Sequence, residues 1–225
     1  MFTGIIEAVG VIAASEELQG DLRLYVRTGD LDLSDVKLGD SIAVNGVCLT
    51  AVALPGDGFW ADVSRETLVH TRFPDLSPGE RVNLEKAMQP TTRFGGHIVT
   101  GHVDGLGEVI AIEEDARSIR FKIRAPTTIA RYIAAKGSIT VDGVSLTANA
   151  VEGHVFDLNI VPHTAQETII ASYQSGRKVH LEVDIIARYM ERLINYSEGA
   201  DTNLTEPAGG VSMATLAAAG FLKRR

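Results

Sequence analysis

The sequence contains a single cysteine, no long apolar run and no excess of basic side chains. Cys48 has no second cysteine for a disulfide, and no paired Cys or His residues at the spacing of a structural zinc site accompany it. The formal net charge of -8 argues against binding to nucleic acid. No apolar run approaches the length of a membrane span, and no signal-peptide pattern opens the chain. We therefore expect a soluble, cytoplasmic protein without a metal site.

An internal repeat dominates what the sequence does contain. A shift of 97 residues places Gly4 on Gly101 without a gap, and the strongest match is VNGVCLTA at 44–51 with VDGVSLTA at 141–148. The 225 residues, with 45% hydrophobic content, are enough for two small cores. The repeat predicts two similar domains, a helix and a flexible tail, with the bounds 1–97, 98–184, 185–196 and 197–225.

Each copy reads as a series of short strands. Its segments are rich in Val, Ile, Leu and Thr and are separated by Gly, Pro or Asp. Residues 22–27 and 119–124 alternate apolar and basic side chains, as half-buried strands do. The Asn-Gly pair at 45–46 and the Asp-Gly pair at 142–143 favour tight hairpin turns. The pattern predicts an all-β fold, with a small antiparallel barrel or sandwich in each copy.

Three segments depart from the strand pattern. Residues 89–96 contain one proline and two adjacent glycines, which predicts a bend or linker between the copies. A short helix is predicted over 127–135. Residues 184–194 place apolar side chains with a period of 3.6, a pattern that the first copy lacks. This apolar stripe suits an oligomer contact or packing onto its own barrel, and the sequence does not distinguish the two.

The two copies differ at paired polar positions, and these differences are candidate functional sites. The pairs are Cys48 with Ser145, Ile5 with His102, Glu66 with His163, and Gly39 with Lys136. Drift on exposed turns explains the last two pairs as well as function does. An unpaired cysteine is commonly a small buried apolar side chain, so Cys48 also has a purely structural interpretation.

Two histidines, His97 and His102, lie five residues apart in a glycine-punctuated stretch. On a strand this spacing places the two rings on opposite faces, which disfavours a shared metal ion. Imidazole titrates near neutral pH, so His102 is better suited to proton transfer or to hydrogen bonding with a ligand.

Several motifs together resemble riboflavin synthase of the α-chain type. They are MFTGII at 1–6, NGVCLT at 45–50, DGVSLT at 142–147, GHIVTGHV at 96–103 and RETL at 65–68, and the resemblance covers residues 1–195. It implies two tandem similar six-stranded Greek-key barrels, each a lumazine-binding domain, and a C-terminal helix that joins three chains. No cofactor is implied.

The resemblance also implies a transferase reaction, the dismutation of two molecules of 6,7-dimethyl-8-ribityllumazine. One molecule gives up a four-carbon unit and leaves as 5-amino-6-ribitylaminouracil, and the other becomes riboflavin. A reaction between two copies of one molecule is served by two related pockets that hold them face to face.

Each implied pocket combines residues of both copies. The first contains Cys48, Leu49, Thr50, Asp62, Val63, Ser64, Arg65, Glu66, Thr67, Gly101, His102 and Val103, with Lys136 coming from a neighbouring chain. The second contains Ser145, Leu146, Thr147, Asn159, Ile160, Val161, Pro162, His163, Thr164, Gly4, Ile5 and Ile6. As a hypothesis, the catalytic residues are Cys48 with His102 and Ser145 with Asp184.

Two alternatives remain at this stage. Non-catalytic lumazine or flavin antenna proteins resemble the same double barrel but need only one good pocket. A pair of oligonucleotide-binding barrels is disfavoured by the acidic charge and by an aromatic content of only 6%. The sequence leaves open which barrel holds the donor, and also whether the chain associates with lumazine synthase.

Overall fold

The computed structural model describes residues 1–198. Residues 1–188 form one compact unit that contains both copies of the repeat, and a second unit begins at Tyr189. The expected flexible tail at 197–225 lies outside the described residues, apart from its first two positions. No helix within residues 1–198 has both the length and the apolar character needed to cross a bilayer.

The first copy folds into a closed six-stranded barrel. Its strands are β1 (Ala8–Leu18), β2 (Asp21–Arg27), β3 (Ser41–Val44), β4 (Val47–Ala53), β5 (Gly58–Val63) and β6 (Arg81–Lys86). All neighbours are antiparallel in the order β1-β2-β5-β4-β3-β6, and β6 pairs back with β1. A short helix, α1 (Arg65–His70), and a 3-10 turn over Phe73–Asp75 connect β5 to β6.

The second copy repeats this arrangement with one strand divided in two. Its strands are β7 (Gly105–Asp115), β8 (Ser118–Arg124), β9 (Ser138–Val141), β10 (Val144–Thr147), β11 (Ala150–Glu152), β12 (Val155–Ile160) and β13 (Lys178–Val183). The sheet order is β10-β9-β13-β7-β8-β12-β11. Because β10 and β11 are consecutive in the chain and together occupy the place of β4, the sheet has the strand order of the first barrel, interrupted at residues 148–149. The predicted all-β fold with two tandem barrels is confirmed.

The repeat extends to irregularities of the backbone. The register between β1 and β2 shifts between Ile12 and Ala14, and that between β7 and β8 shifts between Val109 and Ala111, the positions related by 97 residues. Each barrel has its own core. The predicted alternation holds, because Leu24 and Val26 are buried in β2 and their counterparts Phe121 and Ile123 are buried in β8.

The two predicted hairpin turns meet between the barrels. Asn45, Gly46, Asp142 and Gly143 all have positive φ, between 44° and 82°, as the predicted tight turns require. A Cβ atom added to Gly46 would lie 2.7 Å from the backbone nitrogen of Gly143. No side chain fits there, so the glycines allow the barrels to approach at the level of the backbone.

A buried polar network with approximate twofold symmetry surrounds these turns. The Asn83 side chain donates to the Asp142 carbonyl at 2.9 Å and accepts from the Ile169 backbone N–H at 2.9 Å. In the symmetry-related place, His180 Nδ1 donates to the Asn45 carbonyl, and His180 Nε2 accepts from the Arg72 backbone N–H, both at 2.8 Å. These partners require a neutral His180 ring with its proton on Nδ1.

The second copy contains two helices, α2 (Thr127–Ala130) and α3 (Pro162–Glu167), and a 3-10 turn over Ile169–Ser172, and a third helix, α4 (Ile185–Glu198), follows it. The helix predicted over 127–135 is wrong in length. After Ala130 the backbone makes tighter bonds three residues apart, such as Ile133 N–H to the Ala130 carbonyl at 3.1 Å. The predicted C-terminal helix is present as α4, and Asp184 caps it by accepting from the Ile186 N–H at 3.0 Å. Residues 89–96 contain neither helix nor strand, as predicted for a linker.

Candidate functional site

The segment before the first long strand of each copy contacts the other barrel. Phe2 and Val99 pair through backbone hydrogen bonds of 2.8 and 3.1 Å. Beyond this pairing, Ile6 packs against the core of the second barrel and Val103 packs against the core of the first. Each barrel therefore has a wall that is built from the other copy.

The first barrel holds an open cavity of about 260 Å³ at this wall. Its lining is Val47, Cys48, Glu66, Thr67, His70, Thr71, Gly101, His102 and Val103. The Cys48 backbone N–H donates to the Gly101 carbonyl at 2.9 Å, and the Cys48 side chain is partly exposed. Cys48, Glu66, Thr67 and residues 101–103, which sequence analysis assigned to one pocket, lie together.

His70 is a pocket residue that sequence analysis missed. Ser64 caps α1 through its hydroxyl, which accepts from the Thr67 N–H at 3.4 Å. The helix then places His70 four residues after Glu66, and His70 Nε2 lies 3.2 Å from Glu66 Oε1. The spacing of four residues between Glu66 and His70, just after a serine suited to an N-cap, is a signal that could have found it.

The equivalent site in the second barrel is covered by the linker between the copies. The Ser145 N–H donates to the Gly4 carbonyl at 2.7 Å, as the Cys48 N–H does to Gly101. A Cβ atom added to Gly96 would lie 2.9 Å from Ser145 Cβ and 2.0 Å from the Thr3 carbonyl oxygen. Only glycine permits this close approach of the linker to Ser145.

His97 is the direct partner of Ser145. Its Nδ1 lies 2.7 Å from the Ser145 hydroxyl, and its buried Nε2 has no hydrogen-bond partner among the described residues. Burial lowers the pKa of His97, while the carboxylate of Asp184 acts in the opposite direction. Of the expected pair of Ser145 and Asp184, Ser145 is thus in contact with His97, and Asp184 acts on the His97 ring only through its charge. From the sequence, His97 was considered only as a metal ligand, and the Gly-Gly pair before it was the missed signal.

Two further observations delimit the site. A larger cleft of about 980 Å³ lies beside β1 and the segment that follows β2, and no predicted site residue lines it. Within residues 1–198, no cluster of three or more His, Cys, Asp or Glu side chains is arranged to hold a metal ion.

Comparison with known proteins identifies the repeat. The sequence model of the Lumazine binding domain family matches residues 3–87 and again residues 100–184, two spans related by the same shift of 97 residues. The chain is 53% identical to the riboflavin synthase of Photobacterium phosphoreum, over 99% of this chain and 100% of that protein. It is 41% identical to the riboflavin synthase of Bacillus subtilis (strain 168), over 91% and 95%. The chain belongs to the riboflavin synthase family.

Solved structures with the same fold contain relevant ligands. LumP complexed with 6,7-dimethyl-8-(1'-D-ribityl) lumazine superimposes with a TM-score of 0.73, and LumP complexed with riboflavin with a TM-score of 0.75. Both are 25% identical and cover 81% of this chain and 99% of that chain. The identity is well below that to the riboflavin synthases.

The other residues that the riboflavin synthase resemblance assigns to the first pocket have varied surroundings. Leu49 and Val63 are buried in the core, and Thr50 is exposed. Asp62 is engaged by Arg23 Nε at 2.6 Å, and Arg65 Nε donates to the Gly20 carbonyl at 3.2 Å. Leu49 and Val63 therefore belong to the core of the first barrel and do not line the cavity of about 260 Å³, and Asp62 is already ion-paired.

In the second barrel the corresponding residues surround β12 and α3. Ile160 is buried and Leu146 packs against the core, whereas Thr147, Asn159, Val161 and His163 are exposed. Pro162 opens α3, and the Thr164 carbonyl accepts from the Thr168 hydroxyl at 2.7 Å. Ile5 is exposed.

Lys136 does not line the described pocket of its own chain. It is exposed, has a φ of 67°, and donates its backbone N–H to the Ala148 carbonyl at 2.6 Å. Its assignment to the pocket of a neighbouring chain stays a prediction.

Proposed function

We propose that the chain is a riboflavin synthase, a transferase that moves a four-carbon unit between two molecules of 6,7-dimethyl-8-ribityllumazine. The observation that carries the proposal is the pair of related sites, each completed by the other copy and each with its own polar groups. One has Cys48, Glu66 and His102, and the other has Ser145 with His97. Two unlike sites on one duplicated frame suit a reaction in which identical substrates take different parts.

The two parts of the reaction need different chemistry. The acceptor must lose a proton from its 7-methyl group, and the donor must add a nucleophile at the ring carbon that bears this methyl group. Together, the two substrate molecules contain every atom of riboflavin and 5-amino-6-ribitylaminouracil, so the reaction needs no external oxidant. Acid–base groups and close positioning are sufficient, which suits sites made of thiol, hydroxyl, imidazole and carboxylate side chains.

The first site offers a thiol and an imidazole on one cavity wall. Because Cys48 and His102 are attached to different barrels, their separation depends on how the segment at 101–103 is held. We assign proton transfer at the substrate to His102, with Cys48 as its partner for nucleophilic assistance.

The second site offers a hydroxyl whose neighbour can accept its proton. The lowered pKa of His97 keeps the ring neutral at neutral pH, the state in which it can act as a base toward Ser145. We assign activation of the Ser145 hydroxyl to His97, with Asp184 stabilising the imidazolium that forms.

The activity test uses the full chain with the lumazine as the sole substrate. We expect riboflavin absorbance to grow, with two lumazine molecules consumed for each riboflavin formed. His102→Gln should lower kcat, whereas His154→Gln, at an exposed histidine outside both sites, should not. Stable lumazine fluorescence without riboflavin would instead identify a non-catalytic binding protein.

We also propose that three chains assemble through α4. The helix exposes an apolar face formed by Ile186, Tyr189, Met190, Leu193 and Ile194, whose relative exposures range from 55% to 68%. A large exposed apolar face on a helix is typical of an oligomer contact. Assembly would also bring Lys136 to the first pocket of a neighbouring chain.

Sedimentation tests the assembly. The full chain should sediment as a trimer, and Leu193→Glu should shift it to smaller species. Asn195→Glu adds the same charge on the opposite face of the helix and should leave the trimer intact. A full-length chain that sediments as a monomer would contradict the proposal. Cytoplasmic location and association with lumazine synthase stay predictions.

A further inference from the structure

Two buried carboxylates lie outside both proposed sites. Glu85 in β6 and Glu182 in β13 are related by the 97-residue shift, and each is only 4% exposed. Burial raises the pKa of both groups, and the hydrogen bonds that they accept act against this rise. Burial of a carboxylate is costly unless hydrogen-bond donors surround it, and both groups are surrounded by such donors.

The donors are the same in both copies. Glu182 Oε1 accepts from the Thr100 N–H and hydroxyl, both at 2.7 Å, and Oε2 accepts from the Gly101 N–H at 3.0 Å. Glu85 Oε1 accepts from the Thr3 N–H at 2.6 Å and from its hydroxyl at 2.8 Å, and Oε2 accepts from the Gly4 N–H at 3.0 Å. Both oxygens are used, so the direction of two consecutive N–H groups is fixed.

The segments held in this way contact the proposed reactive residues of the opposite barrel. Gly101 is held by Glu182 through its N–H and accepts from the Cys48 N–H through its carbonyl. Gly4 is held by Glu85 and accepts from the Ser145 N–H in the same manner. Each glycine therefore links a buried carboxylate, bound through its N–H, to a reactive residue of the opposite barrel, bound through its carbonyl.

We propose that Glu182 is a positioning residue for the first pocket and Glu85 a positioning residue for the second, each acting through the Thr-Gly pair that it holds. The carboxylate determines how closely the backbone of Gly101 or Gly4 approaches the opposite barrel. For Glu182, it also sets the position of His102, the next residue along the chain. The expected change in kcat rests on the proposed function, whereas the positioning of the two Thr-Gly pairs does not.

An amide cannot replace the carboxylate. Gln has one acceptor oxygen, so in Glu182→Gln the second oxygen position becomes an NH2 group that faces the Gly101 N–H. Two donors in contact repel each other, and the segment at 100–102 must shift. Displacement of reacting groups by about 1 Å can reduce turnover about 100-fold without preventing binding.

The single cysteine provides a readout that does not depend on enzyme activity. The rate at which iodoacetamide alkylates Cys48 in the full chain reports on the first pocket alone. In Glu182→Gln we expect alkylation to be faster by roughly threefold or more, the factor expected from the loss of one ordinary hydrogen bond. Glu85→Gln acts on the second pocket and should leave the alkylation rate unchanged.

Kinetics provide the second readout. Both Gln variants should lower kcat by about 10- to 100-fold with little change in KM. Val179→Ala, which removes buried apolar contacts in the same strand as Glu182, is the control for lost stability and should leave kcat and the alkylation rate unchanged. Thr100→Val removes only the hydroxyl donor and should give a smaller change in the same direction as Glu182→Gln.

Each outcome decides one question. If Glu182→Gln behaves like Val179→Ala in both readouts, Glu182 is merely structural and the inference is wrong. If Glu182→Gln does not fold, Thr100→Val decides, and a Thr100→Val protein with wild-type kcat and alkylation rate would overturn the inference. If the wild-type chain makes no riboflavin, the proposed function fails, while the alkylation rates still test the positioning role.

Discussion

The two barrels share a backbone but not a site. Apart from the strand that is divided into β10 and β11, their strands coincide under the 97-residue shift, as do the register shift in the first hairpin and the turns between the barrels. In contrast, Cys48 faces an open cavity, whereas Ser145 is covered by Gly96 and His97. The cover exists because the chain must pass from the first copy to the second. After the second copy the chain continues into α4 instead. The two sites of the duplicated chain thus differ for two reasons. The linker between the copies covers only one of them, and the copies carry different residues at paired positions.

The contact between the barrels shows the same combination of symmetry and difference. Asn83 and His180 occupy equivalent places and make equivalent hydrogen bonds. An amide makes them at any pH, whereas imidazole makes them only while it is neutral. The second copy has therefore introduced a titratable group where the first has none.

The largest effect is expected from breaking the contact between the turns. Gly143→Ala places a Cβ within 2.6 Å of the Gly46 backbone nitrogen at a positive φ, so the barrels must separate or the turn must distort. We expect the free energy of unfolding, measured by urea denaturation, to fall by about 2 to 4 kcal/mol.

Gly39→Ala is the matched control for this substitution. Gly39 also has a positive φ, but nothing lies within 4 Å of an added Cβ, and its counterpart Lys136 already carries a side chain at positive φ. A loss of only about 1 kcal/mol is expected. Equal losses in the two variants would show that backbone strain, rather than the approach of the barrels, accounts for the effect.

The next effect concerns the unlike sites. Cys48→Ala should lower kcat by about 100-fold while lumazine binding, measured by fluorescence titration, changes little. Cys48→Ser gives the first barrel the serine that the second barrel has at the equivalent position. It tests whether turnover requires a thiol or only a polar side chain. Unchanged turnover in Cys48→Ala would remove the thiol from the mechanism.

The smallest effect concerns pH. Burial lowers the pKa of His180 below its ordinary value, with Asp142 acting in the opposite direction and Arg72 and Arg177 acting with burial. Tyr173 also reaches this region, through its hydrogen bond to Asp142 at 2.5 Å. As the pH falls, the unfolded chain binds the proton first. The stability that comes from the neutral ring is therefore present above about pH 6.5 and is lost below it, by up to about 1.4 kcal/mol per pH unit.

His180→Asn copies the first barrel and should remove this part of the pH dependence. The measurement is the free energy of unfolding between pH 7 and pH 5 for the two proteins, and the wild-type curve should be the steeper one. Parallel curves would show that other groups cause the acid sensitivity.

Several features were accessible from the sequence because they depend on local chemistry. The Asn-Gly and Asp-Gly turns follow from the tolerance of these residues for positive φ, and the strands at 22–27 and 119–124 follow from alternation with a period of two. Cys48 and His102 were found by comparing the copies, since a repeat supplies its own reference. The length of α2 was not accessible, because its end depends on how Ile129 and Ile133 reach the core.

Other features required contacts between distant residues. His97 contacts Ser145 across 48 positions, and Glu182 contacts Thr100 across 82 positions. The sequence by itself determined that there are two copies of one small all-β domain and where the copies differ, because turn chemistry and periodicity are local. Only the tertiary structure decided that His97 contacts Ser145 and that Glu85 and Glu182 hold the two Thr-Gly segments, because burial and hydrogen bonding between distant segments depend on how the two barrels pack.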